Sequence, residues 1–433
     1  MKHQNRIILG AVFGNLIEAF DMAICGLLSL YLARYLIGDN HHGLMLIFVT
    51  FFAGYLARPI GAFILGLFSD VYGRKITLAA SIIAMGIATA AIGLIPSYQS
   101  IGIHSMIILV ILRIIQSFSC GVEFLNSSAY LVENADLNHK GFAGSWASFG
   151  SAGGLLLASI VTFGVSLMCV QFPEYEWLIW RIPFILALLG SSIGLYIRLF
   201  LPESLEYIVY YADHPKPEIG KLFRQALRYC FKNKIKSIHV FILSSLGVTT
   251  TFLFYIYGPT QAHLYGNFTD NQILMANMMS LMLLMSVYPL AGYLADKINP
   301  SKLVITAAFG FVSLAQLFFF TLSGKSYFNF FVLQCLISIP CGIYYAIVPV
   351  LLTNMFPINL RCTVLSAIYS VAASLSAGMT PILSLYLLQK THNPSAPGML
   401  VVSLVLLMLI SMVLRVRERK VNLQRCEQQN SYA

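Results

Sequence analysis

The chain has 433 residues, of which 58% are hydrophobic and 10% are charged. A soluble protein is nearer half apolar and one quarter charged, so this composition excludes an ordinary soluble domain and indicates a membrane protein. The net charge is +10, but the basic residues lie in short links between apolar runs, and the positive-inside rule explains them better than nucleic-acid binding does. The eight cysteines show no CxxC pair and no metal-ligand spacing, so we predict neither a metal nor a cofactor.

Apolar windows of about 20 residues recur along the chain and predict twelve membrane-spanning helices. Strands of a membrane barrel alternate polar and apolar residues in short segments, unlike these long and uniformly apolar runs. The sequence therefore predicts an all-α membrane protein. The predicted spans are 7–35, 43–68, 76–96, 103–132, 142–168, 180–200, 238–264, 272–295, 302–323, 327–356, 361–388 and 397–415.

Basic residues mark one side of the predicted membrane protein. Arg74, Lys140, Arg361 and the segments 216–236 and 417–425 all fall in links on that side. Cytoplasmic links of membrane proteins carry an excess of Lys and Arg. We therefore predict a multi-pass protein of the inner or plasma membrane with both chain ends in the cytoplasm.

The longest polar segment divides the chain in two. We predict a six-helix bundle over residues 1–200, a cytoplasmic linker over 201–237, a second six-helix bundle over 238–415 and a short cytoplasmic tail over 416–433. Within the linker, the run KLFRQALRYCFKNKIK, residues 221–236, has amphipathic helical spacing and many cations. It predicts a helix on the inner membrane surface, with a solvated linker as an equal alternative.

The two halves contain similar short stretches. GLFSDVYGRK, residues 66–75, follows the second span, and GYLADKINPSK, residues 292–302, follows the second span of the other half. Duplication of a six-helix unit is one route to a transporter, with its site at the midplane between the halves. The similarity predicts two bundles related by pseudo-two-fold symmetry.

The first span carries two carboxylates in an apolar run. In GNLIEAFDM, Glu18 and Asp21 are three residues apart and share a helix face, with Asn15 beside them. A charge at mid-bilayer costs at least about 2.5 kcal/mol, and such residues usually mark ion or proton paths. We predict that this face lines a pathway, with Glu18 and Asp21 as proton carriers and Asn15 as a substrate ligand. The alternative is a packing pair satisfied by a neighbouring Arg.

The second and fourth spans also contain charges. Arg58 lies in LARPIGAFILG, where it either binds substrate or pairs with a first-span carboxylate. In the fourth span, the spacing places Arg113, Gln116 and Glu123 on one polar stripe. We predict that Arg113 and Gln116 bind substrate, because a guanidinium holds a carboxylate in bidentate fashion, and that Glu123 carries a proton.

The loop after the second span contains the most specific motif. Gly66 allows close helix approach, Asp70 ends the span where it can meet a helix N-terminus of the other half, and Gly73 makes the turn. Arg74 and Lys75 anchor the inner surface. We predict that these five residues form a gate, with a generic turn as the alternative.

This loop resembles that of the major facilitator superfamily, which has the form G-x-x-x-D-x-x-G-R-[KR]. Residues 66–75 match it fully, while the second copy keeps Gly292 and Asp296 but lacks the Gly-Arg. More narrowly, the chain resembles the metabolite:proton symporter family, which includes proline/betaine, 2-oxoglutarate, citrate and shikimate carriers. The matching stretches are GNLIEAFDM, ARPIGAFILGLFSDVYGRK, LRIIQSFSCGVEF, YLVENADLNHKGFAGSWASFGSAGGLLLAS, WRIPF, LPES and LLTNMFPINLRCTVLSAIYSVA.

The resemblance implies a twelve-helix major facilitator fold that works by alternating access. The chain departs from the family near the expected site: Ala19 and Phe20 replace a Trp-Tyr pair, Val122 replaces a glycine and Phe124 replaces a tyrosine. These departures leave the substrate open.

The second half has hardly any charge inside its predicted spans. Its polar-tipped candidates for the substrate pocket include Tyr255, Tyr345 and Tyr369, although interfacial or packing tyrosines are the ordinary alternative. We expect the first half to carry proton coupling and the second half to shape the pocket.

Together these observations predict a proton-coupled symporter, not an enzyme, for a small carboxylate or zwitterion such as proline, betaine or a dicarboxylate. The expected partners are that solute, protons and membrane lipids, and we expect a monomer. An exporter of the same fold, running as an antiporter, and a transporter-like sensor without flux are the alternatives.

Overall fold

A computed structural model describes the backbone of residues 2–37, 43–266, 268–322 and 326–430, so the last three residues of the predicted tail lie outside the described residues. In this part of the chain, twelve helices are long and apolar enough to cross a membrane. This confirms the predicted all-α membrane fold with twelve spans.

The described residues from the N-terminus through the predicted linker form twelve α-helices, because the first and fourth predicted spans each contain two helices and four short helices lie in the links. These helices are α1 (Lys2–Leu27), α2 (Ser29–Leu36), α3 (Gly43–Tyr72), α4 (Arg74–Gly93), α5 (Tyr98–Ile101), α6 (His104–Cys120), α7 (Glu123–Glu133), α8 (Lys140–Gln171), α9 (Glu176–Ile179), α10 (Ile182–Leu199), α11 (Leu205–Asp213) and α12 (Ile219–Lys232).

The rest of the chain forms seven longer helices and one π-helical segment, Leu253–Tyr257, inside the seventh span. The helices are α13 (Lys234–Phe252), α14 (Gly258–Tyr265), α15 (Asp270–Lys297), α16 (Pro300–Leu322), α17 (Tyr327–Thr353), α18 (Arg361–Thr391) and α19 (Met399–Asn430). The last helix continues well beyond residue 415, so the described part of the predicted tail is helical.

The fourth span is not the continuous helix that its spacing predicts, because a turn at Gly121 and Val122 separates α6 from α7. A Cβ on Gly121 would lie 2.6 Å from the backbone nitrogen of Ala62 in α3. The glycine therefore lets the second and fourth spans touch backbone to backbone.

Two helix pairs make the most extensive contacts between the halves: α3 packs on α18, and α8 packs on α15. Within the first half, α1 packs on α8 and α4 packs on α10. The polar faces of α1, α3 and α6 consequently meet inside the protein, close to the contact with the second half.

Candidate functional site

The first span presents Asn15, Glu18 and Asp21 to the protein interior, where their exposed fractions are 0%, 5% and 0%. The Asn15 Nδ2 donates to the Ala11 carbonyl at 2.9 Å and to Ser127 Oγ at 2.7 Å. Among the described residues, the Asn15 Oδ1 has no partner. The Asn15 side chain is therefore held by two hydrogen bonds, and its Oδ1 can accept a further one.

Glu18 is held by two side chains from other spans. Its Oε1 accepts a hydrogen bond from Arg58 Nη2 at 3.2 Å and one from Cys120 Sγ at 2.7 Å. Arg58 thus forms an ion pair with a first-span carboxylate, as the structural alternative predicts. The pair is nearly buried, with side-chain exposures of 13% for Arg58 and 7% for Glu18.

Asp21 has a different environment. Its Oδ2 accepts a hydrogen bond from Thr89 Oγ1 at 3.2 Å, and its Oδ1 has no partner among the described residues. Within that part of the chain, no cation lies within ion-pair distance of Asp21. A buried carboxylate without a cation is costly as an anion, so this site favours a group that can take up a proton.

Arg113 is linked to the backbone of Asp21 through the side-chain amide of Gln116. Its Nη1 donates to Gln116 Oε1 at 2.6 Å, while the Gln116 Nε2 donates to the Asp21 carbonyl at 3.0 Å. The guanidinium stacks on the Phe51 ring at 4.4 Å, and its Nε lacks a partner. No carboxylate among the described residues forms an ion pair with Arg113. We call Asn15, Glu18, Asp21, Arg58, Arg113 and Gln116 the central cluster.

Glu123 makes none of the hydrogen bonds that join the central cluster and has a cation of its own. Its carboxylate pairs with Arg198 of α10 and accepts a hydrogen bond from Ser81 Oγ at 2.6 Å. Glu123 is therefore a paired carboxylate of the first bundle.

Arg198 was not among the predicted site residues. The only sequence signal is one arginine near the end of an apolar span, in LYIRLF. The Arg198 side chain fits only beside a residue that lacks a side chain, because a Cβ on Gly14 would collide with the Arg198 guanidinium. The conspicuous glycine in GNLIEAFDM thus makes room for an arginine more than 180 positions away.

Tyrosines of the second half line a small cavity between the bundles, with Phe124, Gly247, Tyr345 and Tyr369 among its walls. The Tyr369 ring packs 5.7 Å from the Phe124 ring, and the Tyr345 carbonyl accepts a hydrogen bond from Ser148 Oγ at 2.8 Å. Tyr345 and Tyr369 therefore lie where the second half contacts the first.

Tyr255 lies in the π-helical segment of the seventh span, where its hydroxyl donates to Ser338 Oγ at 2.8 Å. This bond satisfies the hydroxyl inside the second bundle. π-Helical turns often occur at functional sites, but Tyr255 is not among the residues that line this cavity.

The predicted gate residue Asp70 lies at the N-terminus of α18 in the other half. Its carboxylate accepts hydrogen bonds from the backbone nitrogens of Cys362 at 3.2 Å and Thr363 at 2.8 Å, and from Thr363 Oγ1 at 2.7 Å. A helix N-terminus favours an anion. A Cβ on Gly66 would lie 2.8 Å from Thr363 Cα, so this glycine permits the contact. We call this arrangement the first latch.

A buried ion network surrounds the first latch. Arg74 donates to Asp70 Oδ1 at 3.0 Å and to Glu133 Oε2 at 3.2 Å, and all three side chains are 0% exposed. Arg361 of α18 donates to Glu133 Oε1 at 2.7 Å. Glu133 therefore joins a cation of the first half to a cation of the second.

Residues of the linker hold the turn at Gly73 in the loop motif of residues 66–75. Gly73 has φ of +111°, a conformation that favours glycine, and Glu203 accepts hydrogen bonds from the backbone nitrogens of Arg74 at 2.9 Å and Lys75 at 3.3 Å. Tyr207 of α11 packs under Arg74 at 4.9 Å. Burial raises the pKa of Tyr207 to about 12, so its hydroxyl stays protonated at neutral pH.

A second latch lies at the symmetry-related position. Asp296 at the end of α15 accepts hydrogen bonds from the backbone nitrogens of Gly141 at 2.6 Å and Phe142 at 2.9 Å, at the N-terminus of α8. A Cβ on Gly292 would lie 2.7 Å from the Gly141 carbonyl oxygen. The repeated sequence motif thus makes the same contact twice: Asp70 of the first half binds a helix N-terminus of the second half, and Asp296 of the second half binds one of the first half.

One carboxylate of the linker touches both latches. Glu206 accepts a hydrogen bond from Lys140 at the start of α8 at 2.8 Å, and another from Arg361 at the start of α18 at 2.8 Å. The N-termini held by Asp296 and Asp70 are therefore tied to each other through a single side chain.

Two six-span halves that meet at symmetric latches beside a buried charged cluster define a secondary transporter. The family described as "Sugar (and other) transporter" matches residues 7–218, and that described as "Major Facilitator Superfamily" matches residues 267–428. Both halves of the chain therefore match transporter families, in agreement with the resemblance to the major facilitator superfamily.

The chain is similar to bacterial solute transporters over most of its length. It is 27% identical to the proline/betaine transporter of Escherichia coli K12, over 91% of this chain and 79% of that protein. The Salmonella typhimurium protein of the same name is 28% identical, with the same coverage. The glycine betaine/proline/ectoine/pipecolic acid transporter OusA of Dickeya dadantii is 27% identical over 91% of this chain and 79% of that protein. The chain is thus a transport protein rather than an enzyme.

Solved structures share the fold. The proton:xylose symporter XylE aligns with a TM-score of 0.74 at 18% identity, covering 94% of this chain and 95% of that one. The human organic anion transporter MFSD10 aligns with a TM-score of 0.62 at 15% identity, covering 94% and 99%. At these identities the likeness concerns the fold alone, and it agrees with the predicted major facilitator architecture.

Proposed function

We propose that this protein carries a small zwitterion, of the proline or betaine kind, together with a proton into the cell by alternating access. One observation carries the proposal: among the described residues, Asp21 is a buried carboxylate without a paired cation, and Arg113, linked to the Asp21 backbone through Gln116, is a buried cation without a paired carboxylate. The names of the similar transporters support the solute class.

The coupling follows from the charge of Asp21. When Asp21 is ionised, its negative charge opposes the arrival of a substrate carboxylate at Arg113. When Asp21 takes up a proton, Arg113 is free to bind that carboxylate in bidentate fashion. Proton and solute therefore bind together, which is the requirement for symport. Glu18 and Glu123 are already paired with Arg58 and Arg198, so we assign the proton to Asp21.

The other end of a zwitterion is a cation. Tyr345 and Tyr369 line the cavity on the side of the second bundle, and aromatic faces attract ammonium groups in desolvated sites. A zwitterion bound between Arg113 and these rings contacts both halves at once. The free Oδ1 of Asn15 and the Arg58 guanidinium supply further polar contacts, in keeping with the predicted ligand set.

We also propose that the side bearing both latches faces the cytoplasm and that both chain ends lie there. The cations Arg74, Lys140 and Arg361 gather at that side, as the positive-inside rule requires. The latched structure is then the state closed to the cytoplasm. We propose that one chain in the cell membrane is the working unit, because both halves and both latches belong to a single chain.

Uptake into proteoliposomes with an inward proton gradient tests the proposal. The solutes are radiolabelled proline, glycine betaine, 2-oxoglutarate, citrate and shikimate, and the proteins are the natural chain, Asp21→Asn and the exposed control Asp213→Asn. We expect the gradient to drive accumulation of proline or betaine. Asp21→Asn should reduce accumulation at least tenfold yet retain solute exchange, because its neutral side chain leaves Arg113 free.

The outcomes separate the alternatives. Gradient-driven accumulation that survives in Asp21→Asn refutes the proton assignment, and uptake of dicarboxylates alone refutes the zwitterion. Net outward flux from loaded vesicles points to the exporter. Solute binding to folded protein without any flux points to the sensor.

A further inference from the structure

The linker helix α12 lies beside a membrane span rather than beyond its end. The ring of Phe223 packs edge-on against Phe63 of α3 at 5.3 Å. Phe63 is nine residues before the end of the span at Tyr72, which is about 13 Å along the helix axis. At least this part of α12 is therefore at the depth of one membrane leaflet. The predicted helix of residues 221–236 is not continuous, because α12 ends at Lys232 and α13 begins at Lys234.

The helix contacts both halves from outside the first latch. It packs on α3 and on α18, the two helices that Asp70 joins, and Leu222 and Ala226 are 0% exposed in this contact. At its end, the Tyr229 ring packs 6.1 Å from the Phe356 ring of the second half.

Beside this buried face runs an exposed apolar stripe. Phe223, Leu227 and Phe231 follow one another at four-residue spacing and have exposed fractions of 42%, 39% and 69%. Residues four apart share one side of a helix. Three large apolar side chains uncovered by protein at this depth match the acyl-chain region of a leaflet.

A cationic stripe follows on the next side of the same helix. Lys221, Arg224, Arg228 and Lys232 are all exposed. Lys221 forms an ion pair with Glu218 at 3.3 Å, but in the described part of the chain no carboxylate pairs with the other three. Three uncompensated cations next to an apolar stripe are complementary to an anionic headgroup above its acyl chains.

We propose that α12 is a binding site for anionic phospholipid, in which Arg224, Arg228 and Lys232 hold the headgroup while Phe223, Leu227 and Phe231 contact the acyl chains. A soluble acidic partner fits less well, because the apolar stripe lies at membrane depth. The site is independent of the solute that the protein carries.

The test compares spin-labelled phosphatidylglycerol with spin-labelled phosphatidylcholine in phosphatidylcholine nanodiscs containing the full chain, with the protein-bound fraction measured by electron paramagnetic resonance. The test variant is Arg224→Gln/Arg228→Gln/Lys232→Gln. The matched control, Lys216→Gln/Lys297→Gln/Lys302→Gln, removes the same charge from exposed positions elsewhere. Phe231→Gln examines the apolar stripe without a change in charge.

We expect the natural chain to prefer phosphatidylglycerol. Each cation contributes up to about fivefold, so the test variant should lose most of that preference while the control keeps it. Phe231→Gln should weaken the binding of both lipids. A natural chain without any preference overturns the proposal in favour of a soluble partner. An equal loss in the control variant also overturns it, because net charge alone would then explain the binding.

Discussion

The two latches use the same backbone contact in different electrostatic surroundings. In each, an aspartate at the end of one span accepts hydrogen bonds from the first backbone nitrogens of a helix in the other half. Asp70 is fully buried and pairs with Arg74, whereas Asp296 is partly exposed, and no cation in the described chain forms an ion pair with it.

The difference shows which part of the duplicated unit has been retained. Both copies keep the glycine and the aspartate, and these alone are sufficient to dock a helix N-terminus. Only the first copy keeps the Gly-Arg that follows, and only there does a network reach Glu133 and Arg361. The first latch therefore combines docking with buried charge, and the second latch provides docking alone.

The largest expected effect comes from neutralising the two aspartates separately. Asp70→Asn leaves Arg74 without one of its buried partners, which should destabilise the closed state by about 3 kcal/mol. Asp296→Asn loses an anion at a partly exposed helix N-terminus, which is worth about 1 kcal/mol. The alkylation rate of the Cys362 thiol, which is buried at the first latch, should rise roughly a hundredfold in the first variant and about fivefold in the second. Equal alkylation rates in the two variants would contradict the proposed difference between the latches.

Replacing the glycines should have nearly equal effects at the two latches. A methyl group at Gly66 meets the backbone of Thr363, and one at Gly292 meets the carbonyl of Gly141. Each substitution by alanine should cost about 1–3 kcal/mol in the closed state. The same alkylation assay, with Gly220→Ala on exposed backbone as the control, checks this. A large effect at Gly66 alone would show that the two latches also differ in how closely their helices pack.

The smallest effect is expected from Glu206→Gln, because its two ion pairs are partly exposed and such pairs contribute about 1 kcal/mol or less. The role of Glu206 should appear when the two latch substitutions are combined. With Glu206 present, Asp70→Asn and Asp296→Asn should be non-additive, and in Glu206→Gln their effects should add. Glu218→Gln, which removes an exposed pair outside the network, is the control. Additivity in the natural background would show that the latches are independent.

Apolar length and the loop motif were sufficient to predict twelve spans and a carboxylate able to meet a helix N-terminus of the other half. Local spacing did not indicate the turn at Gly121 and Val122 that separates α6 from α7. It also could not identify Arg198 as the partner of Glu123, because that pairing depends on how separate spans pack.

Glu206 has a consequence for energy conservation. A carrier with only one latch formed is incompletely closed on this side, and an incompletely closed carrier can dissipate the ion gradient without carrying solute. Since the same carboxylate holds Lys140 and Arg361, releasing one latch removes a partner from the other, and the half-open state becomes the least populated. On this view the shared side chain protects the stoichiometry of transport.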